Sequence, residues 1–208
     1  MHALKRALEE WLNVWTHGLG AIASAVALVL LVVIATRGGD AWEIVGAAIF
    51  GASLFTLYLA STLYHFARRP QLKARLKVFD HSAIYLLIAG SYTPFLIGAL
   101  RGPWGWSLLG VIWGLAVVGI GFKLFFTGRF RLASTLVYIG MGWLAVIAAR
   151  PLLVHVEPLA LAWLIAGGIA YTAGTPLYLA RLRYAHALWH VFVLCGSVCH
   201  AVAVGIQI

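Results

Sequence analysis

The stretch "STLYHF" sets Ser61 and His65 four residues apart, and "HALWH" gives His186 and His190 the same spacing. Residues four apart lie one above the other on a helix face. Each stretch, once helical, therefore aims two polar groups at one point. Two imidazoles presented to one point are what a metal site built on a helix requires. Imidazole suits zinc, but it also suits copper, iron and nickel, so the donor type gives zinc as a preference only. One such pair is a weak signal in a chain with eight histidines. Its weight depends on what the rest of the chain brings to the same depth.

The elements that must position these residues follow from composition. Of 208 residues, 63% are hydrophobic and 10% charged, against roughly a quarter charged in a water-soluble domain. Such a chain takes the bilayer as its solvent. A spanning helix needs about 20 mostly apolar residues. The sequence predicts seven, at 17–36, 43–66, 80–100, 104–126, 132–150, 158–180 and 185–207, forming one all-α, seven-transmembrane-helix bundle. Pro94 removes a backbone donor and is expected to bend the third.

The net charge of +9 does not point to nucleic acid, because the basic residues sit between apolar runs. That distribution is a topology signal. Lys5, Arg6, Arg68, Arg69, Lys73, Arg75, Lys77, Lys123, Arg129, Arg131, Arg181 and Arg183 fall on one side, and Arg37, Arg101 and Arg150 on the other. Twelve against three places the N-terminus in the cytoplasm and the C-terminus outside, as for a resident multi-pass membrane protein. Residues 1–16 lack the apolar core of a signal peptide. Leu4, Leu8, Trp11 and Trp15 recur at helical spacing with Lys5, Arg6, Glu9 and Glu10 between them. This pattern suits a cytoplasmic interfacial segment ahead of a membrane domain over 17–208. Cys195 and Cys199 lie four apart in the last span and read as small packing residues.

Topology gives the histidines a depth. His65 ends the second span, Asp80 and His81 begin the third, His186 and His190 begin the seventh, and His17 opens the first. All fall in one layer, at the predicted cytoplasmic boundary. His155 and His200 belong elsewhere. Ionisable groups inside membrane spans are costly and usually functional. Three imidazoles around Zn²⁺ with a fourth position open to water form a known catalytic arrangement.

The segments "STLYHF", "FDHSAIYLLIAGSYTPF", "YIGMGWLAV", "GGIAYTAGTPLYL" and "HALWHVFVLCGSVCH" resemble successive helices of the bacterial hemolysin III group. That group belongs to the progestin and adiponectin receptor family. The likeness runs from Asn13 onward. It implies a seven-helix fold with a zinc ion held by His65, His186 and His190. Asp80 and Ser61 match the family's aspartate and motif serine. In eukaryotic relatives the site is implicated in hydrolysing the amide of ceramide, and in bacteria the group is linked to membrane-lipid homeostasis. "DH" stands here where the receptors carry "DY". This leaves His81 as either a fourth imidazole near the metal or a local hydrogen-bond partner.

On this resemblance Asp80 acts as general base, or else merely caps the third helix. Ser61 donates to a developing oxyanion, or else bonds back to a helix carbonyl. The expected activity is zinc-dependent hydrolysis of a lipid amide, on a membrane lipid or lipid-derived substrate. The alternatives are a non-enzymatic sensor or regulator fastened by zinc, and a pore-forming cytolysin.

Overall fold

The computed structural model describes residues 2–180 and 182–208, with side chains from residue 7 onward. The side chains of Leu4, Lys5 and Arg6, and all of Arg181, lie outside the described residues. The described residues form helices α1 (His2–Gly38), α2 (Ala41–Phe66), α3 (Pro70–Ile97), α4 (Pro103–Phe126) and α5 (Arg131–Gly142). A 3₁₀ segment (Leu144–Ala148) then leads to α6 (Ala149–His155), α7 (Pro158–Leu179) and α8 (Ala185–Gln207). The run from Arg131 to His155 acts as a single span, so the architecture is the expected seven-rod, all-α bundle.

Local chemistry explains where several helices begin. Pro70, Pro103 and Pro158 open α3, α4 and α7 at the first helical position, where no intrahelical donor is needed. A capping box starts α2. Asp40 accepts from the amides of Trp42 and Glu43 at 2.8 and 3.1 Å, and Glu43 accepts from the Asp40 amide at 2.9 Å. Arg101 pairs with Asp40 and, with these amides, holds its carboxyl below the usual range.

Within the bundle α2 packs between α1 and α3, α8 packs on α1 and α7, and α4 packs on α3. Close approach depends on small residues, as is usual between helices in lipid. At Gly51 a Cβ would lie 2.8 Å from the Leu28 Cα, so any side chain there would push α2 off α1. The apolar side chains left outside, among them Ile22, Val26, Val29, Val117 and Val118, face away from the protein.

Among the described residues, six of the seven rods are long and apolar enough to cross a membrane: Ala7–Gly38, Ala41–Phe66, Pro103–Phe126, Arg131–His155, Pro158–Leu179 and Ala185–Gln207. The exception is α3, which carries Lys73, Arg75, Lys77, Asp80 and His81. Most of its second half is buried, from His81 through Tyr85, Leu87, Thr93 and Phe95 to Ile97. Lipid contact therefore falls to its neighbours, and α3 does not need an apolar exterior.

Three expectations change. The third helix starts at Pro70, ten residues before Asp80, so Asp80 lies well inside a helix and does not cap one. Pro94 falls in the last turn of α3, three residues from its end at Ile97. Lys123 is not a loop cation: it is in the last turn of α4, buried, and donates to Ser134 Oγ at 2.6 Å. The hydropathy of a segment marks where lipid begins, whereas a helix can continue beyond that boundary.

Candidate metal centre

The last turn of α2 delivers His65, and the first two turns of α8 deliver His186 and His190. The backbone of Tyr184, immediately before α8, is left-handed at φ 61°. This conformation is uncommon for a residue with a side chain, and it turns the chain sharply into the helix. The ring centroids stand 5.1 Å apart for His65 and His186, 5.2 Å for His65 and His190, and 4.6 Å for His186 and His190. One nitrogen from each lies within 4.8 Å of the others. His65 and His190 are buried and His186 is half-buried.

The surroundings of the three rings come mostly from α1. Glu10 Oε2 lies 2.8 Å from His65 Nδ1, and Lys73 Nζ donates to Glu10 Oε1 at 2.9 Å. The Thr16 hydroxyl lies 3.1 Å from His190 Nδ1. His17 stacks on His190 with ring centroids 3.5 Å apart, and Tyr58 meets the His17 ring edge-on at 4.9 Å. Gly20 makes room for that tyrosine: a Cβ there would sit 2.6 Å from the Tyr58 ring.

The donor set fits a metal ion. His65 Nε2 is buried and has no hydrogen-bond partner. Buried polar atoms are nearly always paired, so this nitrogen faces something the protein does not supply. Three imidazoles are a suitable ligand set for zinc and for several other transition metals. The group can hold a metal ion, and its geometry does not choose which.

Asp80 is half-buried on α3, and Ser61 lies on α2 one turn before His65. Ser61 itself is 1% exposed. Asp80, His65 and His186 line one cavity of about 350 Å³, together with Asn13, Tyr64, Lys77, His81, Arg131 and Tyr178. A second cavity of about 420 Å³ is lined by Glu10, Trp11, Val14, Phe66, Arg68 and Lys73. His65 and Glu10 line both.

The structure thus brings His65, His186, His190 and Asp80 into one region, with His17 and His81 beside them, while Ser61 is buried on α2 and lines neither cavity. His81 lines the cavity but stands outside the three-nitrogen group, and its Nδ1 has no partner. His155 is exposed at the end of α6, and His200 packs against Tyr171. Cys195 and Cys199 are free thiols on α8, apart from the three-nitrogen group. Glu10, Asn13 and Thr16 were missed by sequence reasoning. The signal was present: Glu10, Asn13 and His17 follow at intervals of three and four, which is one face of a helix.

A family model described as Haemolysin-III related matches residues 5–201. Hemolysin-3 of Bacillus cereus is 50% identical over 190 residues, spanning 91% of this chain and 87% of that protein. The Hemolysin-3 homolog of Bacillus subtilis is 49% identical over 190 residues, spanning 91% and 89%. The human Monocyte to macrophage differentiation factor is 26% identical over 205 residues, spanning 94% and 83%. The matched span takes in every helix that contributes to the histidine cluster, and with half of the aligned residues shared with a bacterial hemolysin-3, this multi-pass membrane protein belongs to the haemolysin-III related family.

Proposed function

We propose that the chain is a zinc-dependent hydrolase of a membrane-lipid amide, with His65, His186 and His190 as the metal ligands. The observation that carries this reading is the Asp80 carboxyl lining the same cavity as His65 and His186. A bound zinc ion supplies a Lewis acid that polarises a carbonyl and acidifies a water. Asp80 takes up the proton of the attacking water and passes it to the leaving nitrogen. Ser61, one helical turn from His65, donates toward the charge that develops on the carbonyl oxygen. The apolar walls of the second cavity, Trp11, Val14 and Phe66, suit an acyl chain, and Arg68 and Lys73 suit a polar headgroup at the membrane surface.

The basic residues support a bacterial inner-membrane location with the histidine layer at the cytoplasmic face, the N-terminus inside and the C-terminus outside. The N-terminal turns of α1 would then emerge from the bilayer. Its 37 residues span about 55 Å, against roughly 30 Å of hydrocarbon.

The deciding experiment incubates purified, zinc-loaded protein with a ceramide-type amide in mixed micelles and follows release of the fatty acid. Turnover by wild type, abolished in Asp80→Asn with metal retained, supports the hydrolase. Absence of turnover across acyl-chain lengths, with zinc bound, rejects it.

A second reading is a non-enzymatic regulator in which the metal is structural. It is favoured by one feature: the three imidazoles come from α2 and α8, so one ion would tie together two elements distant in sequence. In that case metal removal would alter bundle stability and no substrate would be consumed. The name of the Bacillus relatives, Hemolysin-3, keeps a membrane-lytic activity as a third outcome, read as metal-independent leakage from loaded vesicles.

A further inference from the structure

We infer that α1 positions the metal-binding rings, with Glu10 orienting His65 and Thr16 orienting His190. The inference rests on the reading that these histidines bind a metal. Each contact falls on Nδ1, at 2.8 Å for Glu10 and 3.1 Å for Thr16. An ionised carboxylate has no proton to give and only accepts. The Nδ1 of His65 therefore carries the hydrogen, and its lone pair resides on Nε2, the buried nitrogen that has no partner. The Asn13 amide nitrogen also approaches Nδ1, at 3.4 Å, but two donors cannot share a hydrogen bond, and the shorter carboxylate contact decides the tautomer.

The Thr16 argument is independent. A hydroxyl has one proton. That proton is directed to the backbone, where the carbonyls of Leu12 and Asn13 lie 2.8 and 3.1 Å away. The oxygen is left to accept, so His190 Nδ1 donates to it and Nε2 is again the free nitrogen. Both rings are thus set in the same tautomer by the same helix, from positions six residues apart.

Glu10 is itself fixed. Lys73 reaches it from α3, and the ammonium lies 5.2 Å from the Tyr64 ring centre. Lys73, Glu10 and His65 form a relay from α3 through α1 to α2. Partners of this kind set ring orientation and raise the basicity of the ligand, and their loss typically costs 10–100-fold in metal affinity or activity.

The test is zinc affinity of the purified full chain in detergent, stripped of metal and titrated against a competing chromophoric chelator. Cobalt absorption serves as a second readout of the ligand field. Glu10→Gln and Thr16→Val should each weaken zinc binding by roughly 10–100-fold and alter the cobalt spectrum. The melting temperature of the metal-free protein should stay at the wild-type value. Thr16→Ser keeps the acceptor and should bind as wild type. Glu10→Asp should recover part of the loss. If Glu10→Gln destabilises the metal-free protein, the Thr16→Ser and Thr16→Val pair decides. Wild-type affinity and spectrum in Glu10→Gln and Thr16→Val overturn this inference alone. A wild-type chain that binds neither ion overturns it together with the metal reading.

Discussion

The imidazoles of His17 and His190 stack face to face, 3.5 Å between centroids and 13° between planes. His17 stands outside the three-nitrogen group, and its own nitrogens have no partner. Its flat face borders one side of the His190 ring. His17→Phe, which keeps a flat ring, should hold metal affinity close to wild type. His17→Ala should lower it by about tenfold, the mild end of the effect expected when support of a ligand is lost. Chelator competition on the purified variants reads both values. Equal loss in the two would assign His17 a polar role.

The ligand set predicts a matched pattern of losses. His65→Ala, His186→Ala and His190→Ala should each cost several kcal/mol of a binding energy that is roughly 10–16 kcal/mol in structural zinc sites. Each should lower both bound metal and the melting temperature of the loaded protein. His155→Ala, at the exposed end of α6, should change neither. Elemental analysis and thermal scans of the four variants check this, and full occupancy in any of the first three would remove that residue from the site.

Asp80→Asn and Ser61→Ala separate chemistry from binding. Neither residue belongs to the three-nitrogen group, so both variants should keep most of their metal. Loss of the base should slow lipid-amide hydrolysis by about 10²–10⁴-fold. Loss of the serine donor should have a smaller effect in the same direction. Ser61→Ala with wild-type turnover would reduce that serine to helix packing.

Orientation is checked by reporter fusion. A reporter active only in the periplasm should work when attached after Ile208. It should fail in the turn between α4 and α5, at Thr127 to Phe130. The opposite pattern would move the histidine layer to the outer face.

Much of the centre was legible because a helix turns spacing into direction. His186 with His190, and Ser61 with His65, are pairs four apart, and the apolar runs set their depth. The supporting residues were less legible. The spacing of residues 4–15 puts Glu10 on a polar face along the membrane surface, whereas α1 runs unbroken into the bundle and brings Glu10 to His65. Asp80 was open to being read as a cap because the basic stretch before it is polar. The backbone hydrogen bonds of α3 form regardless of polarity, from Pro70 on. Lys123 misled for a related reason: a charge at the edge of an apolar run is expected in water, and here it is buried against Ser134. In each case tertiary packing decided the environment of a polar group near a membrane boundary.

The burial of α3 also bears on how the protein is made. A helix shielded from lipid in the finished bundle must still reach that position through the insertion machinery. The basic residues preceding Asp80 hold the start of α3 at the surface, and Asp80 itself gains nothing from entering hydrocarbon. Taken alone, α3 gains little from entering the bilayer. Its apolar neighbours α2 and α4 would draw it in, so assembly of the face that carries Asp80 depends on synthesis proceeding past Phe126. A nascent chain stalled at Ile97 would carry Asp80 with no α4 to cover its helix.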